Sequence, residues 1–247
     1  MGPDGIFIVQ ETDAAAELAA RLAAAGRAAC ERSGRFALAV SPAALSAPLV
    51  DALAAAPIGR ERFWRATHLF LSDTRGVKPA ALRAAVERLP LAHGAAHLEP
   101  ADHPRPTHAA TAYEQELRAF FSLRADALPR FDLVLLELGP DAHAASLFPF
   151  SETLDETARL AVASYVRTLG RHCVTFTMPL INHAREILLL AAGAAVAPAL
   201  GAMTSGAYEP RRLPAQLINP VDGKLHLLAD HAAALGLPPA RRAARVE

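Results

Sequence analysis

A short apolar block that ends in a glycine-proline turn is the feature that most constrains how this chain can fold. Residues 131–138 read FDLVLLEL, and Gly139 and Pro140 follow directly. A block of this length, without polar alternation, is typical of a strand buried on both faces of a parallel sheet. Glycine and proline end the strand, and Asp141 is then expected to cap a helix that begins near Ala142.

The rest of the chain repeats this alternation of strand-length and helix-length segments. The expected strands are 6–9, 36–40, 67–71, 131–138, 174–178, 187–191, 217–218 and 225–228. The expected helices lie near 14–33, 49–53, 80–88, 111–123, 196–203 and 230–235, with Thr12 or Asp13 capping the first. Such alternation predicts an α/β fold, a doubly wound, mostly parallel, Rossmann-like sheet flanked by helices. The pattern contains no internal repeat and no linker, so residues 1–247 are expected to form a single domain.

Composition narrows the class of function. The chain has 247 residues, 52% of them hydrophobic, and a formal net charge of zero. A neutral chain gives no indication of nucleic acid or an anionic membrane surface as partner. There is neither a signal-peptide pattern at the start nor an apolar run of roughly 20 residues, so we expect a cytoplasmic protein. Cys30 and Cys173 lie in apolar surroundings and are expected to be buried, inert thiols.

The turn after the 131–138 strand carries the first candidate catalytic residues. In open α/β sheets, ligands bind beyond the carboxyl ends of the strands, where Asp141, His143 and Ser146 are placed. A neutral imidazole at His143 can accept a proton near physiological pH, or can simply be a capping side chain. Asp141 can fix the tautomer of that ring or cap the helix. Ser146, expected one helical turn further on, can bind a ligand or the backbone.

A second polar pair follows the 67–71 strand. Asp73 and Arg75 stand at its carboxyl end, where an arginine can hold a phosphate through two charge-assisted hydrogen bonds. The alternative is a surface ion pair between Asp73 and a neighbouring base. We favour an active-site role for Arg75.

The run Gly139 to Pro149, GPDAHAASLFP, resembles the signature GPDGHxASLFP of the 6-phosphogluconolactonases. Other segments stand in family order, among them YEQEL at 113–117, MPLIN at 178–182 and the pattern beginning PAQLINP at Pro214. The related amino-sugar-phosphate deaminases share the Asp-Gly-His core but continue with an aromatic-Asn-Glu-Pro ending. The ending Ser-Leu-Phe-Pro at 146–149 therefore indicates the lactonase branch.

The resemblance implies hydrolysis of a sugar-acid lactone, 6-phosphoglucono-δ-lactone in the first instance, by a water molecule that His143 activates. It also implies that no metal or organic cofactor takes part. His93, His97, His103 and His108 are scattered through a proline-rich segment, and their spacing does not predict a zinc site.

This chain departs from the family pattern at the positions expected to bind phosphate. The glycine-rich loop after the second strand is replaced by SPAALS, in which Pro42 lacks an N–H and only Ser41 and Ser46 keep hydroxyls. Val196 stands where the family has lysine, and Cys173 where it has arginine. Further departures are Glu137 and Leu138 on the strand, Ala142 in place of glycine, and Thr74 in place of the middle carboxylate of Asp-Glu-Arg.

Three hypotheses remain open from the sequence. The first is an active 6-phosphogluconolactonase whose phosphate is held by Arg75, Arg171, His172 or Arg185. The second is a hydrolase of a different or unphosphorylated lactone or ester, which keeps His143 and Asp141. The third is a non-catalytic protein that binds a metabolite or a partner. The retained aspartate and histidine argue against the third, and the degenerate loop argues against the first.

Overall fold

A seven-stranded parallel sheet forms the centre of the molecule in a computed structural model, which describes residues 3–10, 13–55, 57–75, 78–98 and 105–242. The strands, in chain order, are β1 (Gly5–Val9), β2 (Phe36–Val40), β3 (Thr67–Leu71), β4 (Ala96–His97), β5 (Leu133–Glu137), β8 (Glu186–Ala191) and β9 (Lys224–Asp230). They lie side by side in the order β1-β9-β8-β5-β2-β3-β4, and every neighbouring pair is parallel. The predicted doubly wound α/β sheet is confirmed.

Helices cover both faces of the sheet. The helices are α1 (Ala14–Ser33), α2 (Ala47–Ala54), α3 (Pro79–Glu87), α4 (Pro106–Phe120), α5 (Met178–Asn182), α6 (Ala197–Ser205), α7 (His231–Ala234) and α8 (Pro239–Arg242). Residues of α1, α2 and α3 share one apolar core with Leu133 and Leu135 of β5. Residues of α4, α5, α6 and α7 share the other core with Val134 and Leu136. Alternate side chains of β5 therefore enter opposite cores, which explains its continuous apolar sequence.

The order of the strands fixes where a ligand can enter. After β2 the chain moves to β3 on one side, whereas after β5 it moves to β8 on the other. The loops that follow β2 and β5 therefore diverge, and this switch point is where open α/β sheets bind ligands. The polar segments 41–46 and 139–146 are the two loops at this crevice.

The predicted strand at 174–178 needs correction. The chain forms an antiparallel hairpin outside the main sheet, from β6 (Ala161–Val166) and β7 (Arg171–Phe176). Thr74 N–H donates to Val174 O at 2.9 Å and Phe176 N–H to Ser72 O at 2.7 Å, so β7 runs past the carboxyl end of β3. The hairpin brings the 171–176 segment to the same edge as the loops of the crevice.

Two smaller predictions are also wrong. The predicted strand at 217–218 is occupied by a 3₁₀ turn over Pro214–Leu217. No helix begins near Ala142, because this residue has φ of +61°, which is incompatible with a right-handed helix. Asp13 occupies the N-cap position of α1, whereas Thr12 lies outside the described residues.

Candidate active site

The loop after β5 folds back on itself at Gly139. The Gly139 N–H donates to His143 O at 2.9 Å, and Ala142 N–H donates to Gly139 O at 2.9 Å. A Cβ atom on Gly139 would lie 2.0 Å from His143 Cε1, so the imidazole rests directly on the glycine backbone. Only glycine permits this approach. The Gly-Pro-Asp segment is therefore a tight turn that brings His143 back over the end of β5.

His143 and Asp141 form a hydrogen-bonded pair at this turn. Asp141 Oδ1 contacts His143 Nδ1 and also accepts the His143 backbone N–H at 3.2 Å. The imidazole is buried, with 6% of its side chain exposed, whereas 45% of the Asp141 side chain is exposed. Phe148 stacks on the ring at 4.3 Å between centroids. Backbone, carboxylate and aromatic ring together fix the orientation of the imidazole.

The electrostatics favour an ionised Asp141 and a proton on His143 Nδ1. Burial raises the pKa of Asp141, but the hydrogen bond and charge interaction with His143 outweigh it, and the pKa is lowered overall. Among the described residues His143 Nε2 is buried without a hydrogen-bond partner. A carboxylate that accepts from Nδ1 leaves the Nε2 lone pair as the basic site. This arrangement suits a general base that acts through Nε2.

Asp73 lies at the centre of a buried polar junction between the loops. Its carboxylate accepts hydrogen bonds from three hydroxyls and one backbone N–H: Ser41 Oγ at 3.0 Å, Ser72 Oγ at 3.3 Å, Ser146 Oγ at 2.8 Å and Arg75 N at 3.1 Å. Only 1% of Asp73 is exposed. The alternative of a surface ion pair is therefore wrong, because Asp73 is buried and its carboxylate joins the ends of β2 and β3 to the histidine loop.

Ser41 and Ser146 use their hydroxyls in this junction. Ser146 does not lie one helical turn from His143, since the loop between them is irregular, and its N–H donates to Thr175 Oγ1 at 3.2 Å. Both serines are buried. Their contacts indicate that they position the loops.

Arg75 stands beside the junction with a partly exposed side chain. Its Nε lies 3.9 Å from Asp73 Oδ2, and 20% of the side chain is exposed. This Nε is buried and has no hydrogen-bond partner among the described residues. A guanidinium that lies near a carboxylate without a hydrogen bond to it can present its nitrogen atoms to an anion.

The other basic residues predicted to bind the phosphate lie at two different places in the structure. Arg171 and His172 lie exposed at the start of β7, next to the turn of the hairpin, and His172 packs against Tyr165 at 5.1 Å between ring centroids. Arg185 precedes β8 at the opposite edge of the sheet, where its Nε lies 3.5 Å from Asp132 Oδ1. Asp132 precedes β5 whereas His143 follows it. The structure therefore does not bring Arg185 to the site, which corrects the prediction from sequence.

The loop at 41–46 offers few donors to an anion. Residues Pro42–Ala44 form a 3₁₀ turn, and Ser46 Oγ accepts the Leu49 N–H at 3.4 Å as the N-cap of α2. Pro48 in the first turn of α2 has no N–H. Ser46 is thus a capping residue, and the predicted loss of the phosphate cradle agrees with this geometry.

Cys173 and Cys30 differ in their surroundings. Cys173 is buried beside the Asp73 junction, and its pKa is raised chiefly by burial, so the thiol stays neutral. Cys30 is only partly buried, which corrects the expectation for it; burial, and then Asp132, raises its pKa. A neutral thiol at position 173 gives an anion no charge to bind.

Metal ligation is not suggested by the histidines that the structure describes. His97 Nδ1 lies 2.5 Å from Glu116 Oε1, and its Nε2 lies 3.2 Å from His68 Nδ1. His103 lies outside the described residues. Within residues 3–10, 13–55, 57–75, 78–98 and 105–242 no cluster of three or more ligating side chains could hold a metal ion. No helix in these ranges is long and apolar enough to cross a bilayer.

Sequence reasoning missed several participants. Ser72 and Thr175 belong to the Asp73 junction, and Phe148 stacks on the imidazole. Asp141, Phe148 and Arg167 line a cavity of about 370 Å³ beside the histidine. Ser72 directly follows a buried strand, and this position could have indicated that it belongs to the site. Thr175 and Arg167 lie at the crevice only because the hairpin brings them there.

A parallel α/β sheet that carries a carboxylate-oriented histidine at its switch point defines this chain as an α/β protein with an enzyme-type acid–base site. Comparison with known proteins specifies the family. The family model described as glucosamine-6-phosphate isomerases/6-phosphogluconolactonase matches residues 9–227. The chain belongs to this family, and the resemblance seen in the sequence is confirmed.

Individual relatives agree with the family assignment. The chain is 35% identical over 214 residues to a 6-phosphogluconolactonase of Synechocystis, which covers 83% of this chain and 86% of that protein. It is 34% identical over 213 residues to a 6-phosphogluconolactonase of Nostoc, with the same two coverages. The fold resembles the solved 6-phosphogluconolactonase of Trypanosoma brucei, with a TM-score of 0.82 and 19% identity over 96% of this chain and 100% of that one.

Proposed function

We propose that this protein hydrolyses a sugar-acid lactone and that 6-phosphoglucono-δ-lactone, the substrate implied by the names of its relatives, is that lactone. The observation that carries the proposal is the buried, unpartnered Nε2 of His143, on a ring whose Nδ1 faces the carboxylate of Asp141. The relatives named 6-phosphogluconolactonase support the reaction class, and the His143–Asp141 pair supports a histidine base for it.

The chemistry follows from this arrangement. His143 Nε2 accepts a proton from a water molecule while the water oxygen attacks the lactone carbonyl carbon. The tetrahedral oxyanion collapses, the ring C–O bond breaks, and the proton on Nε2 passes to the departing alkoxide. Asp141 keeps the Nδ1 proton in place and stabilises the imidazolium that forms between these steps. General-base catalysis of this kind supplies about 10²–10⁴ in rate.

Arg75 is the cation that we assign to the phosphate. It lies at the carboxyl end of β3, is anchored on Asp73 and keeps a fifth of its side chain exposed. Arg171 and His172 on the exposed part of β7 are further candidates. Replacing Arg75 by alanine should raise the KM for the phosphorylated lactone about tenfold or more, because one charge-assisted pair is lost. The KM for the unphosphorylated lactone should stay within about twofold, since Arg75 is proposed to bind only the phosphate group.

The second candidate function is hydrolysis of an unphosphorylated lactone. It is favoured by the 41–46 loop, where Pro42 and the capping role of Ser46 remove the donors that an anion would need. The two functions predict different substrates for the same base.

The deciding experiment measures hydrolysis of freshly prepared 6-phosphoglucono-δ-lactone and of glucono-δ-lactone, after subtraction of spontaneous opening. His143→Gln should lower kcat by about 10²–10⁴ with the fold intact. His183→Gln is the control, because His183 is a partly buried histidine that is likewise hydrogen-bonded through Nδ1, which lies 3.0 Å from Pro129 O. Activity confined to the unphosphorylated lactone would establish the second function. Equal rates above background for wild type and His143→Gln would show that His143 is not the base, and no rate above background for wild type on either lactone would sink the lactonase proposal.

A further inference from the structure

A cavity of about 490 Å³ opens at the carboxyl edge of the sheet, on the face covered by α1 and α2. Its walls are largely apolar and come from the first turns of the two helices and from the ends of the strands, with Leu18, Leu49, Leu190 and Leu228 among them. A mostly apolar cavity of this size, with a few polar groups, is typical of small-molecule sites.

Most of the polar groups in this cavity are already engaged. Asp230 accepts the N–H groups of Gly193 and Ala233, each at 2.7 Å, and Ser46 caps α2. Glu137, the last residue of β5, also lines the cavity and is partly exposed. Among the described residues none donates a hydrogen bond to its side chain or forms an ion pair with it. Its carboxylate is therefore available to a ligand.

The charge of the cavity indicates which class of ligand it can bind. Its described lining includes the carboxylates of Glu137 and Asp230 and no arginine, lysine or histidine. Pro48 and the Ser46 cap leave the start of α2 with few donors. The start of α1 also lines the cavity, but no cationic side chain does, so an anionic group would meet the like charges of Glu137 and Asp230, which costs binding energy. Hydroxyl groups can instead donate to the carboxylate while the C–H surface of the same molecule packs on the leucines.

Glu137 is close to the proposed base. It stands two positions before Gly139, about 7 Å along an extended chain. The His143 ring rests on the backbone of Gly139. The Glu137 carboxylate therefore lies in the same crevice as the proposed base, within the span of a monosaccharide-sized ligand.

We propose that Glu137 is a substrate-binding residue that accepts hydrogen bonds from the hydroxyl groups of the sugar portion, and that this cavity is a neutral polyol subsite. The inference rests on the proposed lactonase function and deepens it. Any phosphate on the substrate lies outside this cavity, on the Arg75 side of the Asp73 junction.

The test measures binding, so it does not depend on turnover. Glucono-1,5-lactam, a lactone analogue that is not hydrolysed, is titrated by calorimetry into wild type, Glu137→Gln and Glu186→Gln. Glu186 is a matched control, because it is also a partly exposed glutamate, on the adjacent strand β8. It is the first residue of that strand and therefore lies at the amino-terminal end of the sheet, away from the cavity. We expect Glu137→Gln to bind the lactam about tenfold more weakly, since charge-assisted hydrogen bonds are lost, and Glu186→Gln to match wild type.

A second variant tests the cavity itself. Ala43→Phe places a large side chain into the lining from a loop residue and should also weaken the lactam. Unchanged lactam affinity in Glu137→Gln, or no lactam binding by wild type, would overturn the inference. So would tighter binding of 6-phosphogluconate by Glu137→Gln, because removal of the charge would then have relieved repulsion of a phosphate in the cavity.

The two proposals fail in distinguishable ways. If wild type turns over neither lactone but binds the lactam through Glu137, the proposed function is wrong and the subsite stands. If it turns over a lactone while Glu137→Gln keeps wild-type affinity for the lactam, the function stands and the subsite is wrong.

Discussion

At the scale of single residues, Ala142 adopts a backbone conformation that usually belongs to glycine. Its φ is +61°, in the left-handed region, where a Cβ costs about 1–2 kcal/mol. The turn between Asp141 and His143 requires this conformation, so the strain is maintained by the contacts that hold the imidazole. The resembling lactonases carry glycine at this position, which fits the same geometry.

Ala142→Gly should therefore stabilise the protein. The free energy gained by removing the strain exceeds the free-energy cost of the greater entropy of glycine in the unfolded chain. We therefore expect the free energy of unfolding to rise by about 0.5–1 kcal/mol. Urea denaturation measures it. Ala144→Gly, also fully buried but without a positive φ, is the control and should lose stability. A loss in both variants would show that the turn does not strain Ala142.

Asp73 carries the second prediction at this scale. Asp73→Asn replaces a carboxylate that accepts four hydrogen bonds by an amide that places N–H donors against serine hydroxyls. We expect a loss of about 2–3 kcal/mol in unfolding free energy, because hydrogen bonds to a buried charge are strong. Asp155→Asn removes one exposed partner of Arg211 and should cost less than about 0.5 kcal/mol. Comparable losses in the two variants would contradict a structural role for the junction.

At the scale of elements, ion pairs of Glu114 join α4 to the start of the hairpin. Glu114 of α4 accepts hydrogen bonds from Arg118 at 3.0 Å and from Arg159, just before β6, at 2.5 Å. Burial raises the pKa of Glu114, but the two arginines more than offset it, and the pKa lies below its usual value for a glutamate. The ionised carboxylate thus fixes the hairpin, which carries Thr175 to the site.

Glu114→Gln should destabilise the fold by about 2 kcal/mol at neutral pH, because two partly buried guanidinium groups lose their anion. The lowered pKa means that this contribution is fully present above about pH 4.5 and is lost as the pH falls through the folded-state value. The difference in unfolding free energy between wild type and variant should therefore shrink below pH 4. Glu209→Gln, in an exposed pair with Arg212, should show neither effect. A pH-independent difference would contradict the ion-pair explanation.

At the scale of the whole molecule, the sheet is best protected at its centre. Residues Leu133, Val134, Leu135 and Leu136 of β5 are completely buried, whereas β1 at the edge is only partly buried throughout. Native-state hydrogen exchange should be slowest for the amides of β5 and β2 and faster for Ile6–Val9 by at least about tenfold, because edge strands open without global unfolding. Equal protection of β1 and β5 would mean that the sheet opens as one unit.

The sheet itself was predictable from the sequence, and the hairpin was not. Apolar blocks such as 133–136 are typical of strands buried on two faces, and they indicated the parallel sheet. The segment 161–166, AVASYV, has mixed polarity because it lies outside the main sheet, and local pattern gave no reason to pair it with 171–176. The 174–178 block was consequently placed in the wrong sheet.

The candidate site was predictable where residues follow a strand directly. His143, Asp141, Asp73 and Arg75 lie at the crevice because each comes soon after β5 or β3. The prediction for Arg185 is wrong because this residue precedes β8 and therefore lies at the opposite end of the strands. The unpartnered carboxylate of Glu137 and the joining of Ser41, Asp73 and Ser146 depend on contacts between distant segments, which spacing along the chain does not encode.

Because β1 pairs with β9, the first strand cannot join the sheet until the last strand has been synthesised. In the part of the chain that the structure describes, β9 is the only strand beside β1, and Val9 pairs with Asp230. A ribosome adding about 5–20 residues per second needs roughly ten to forty seconds to travel between these two positions. For that time Ile6–Val9 exposes an unpaired strand edge, so the nascent chain is most prone to aggregation, and most in need of a chaperone, before its last strand emerges.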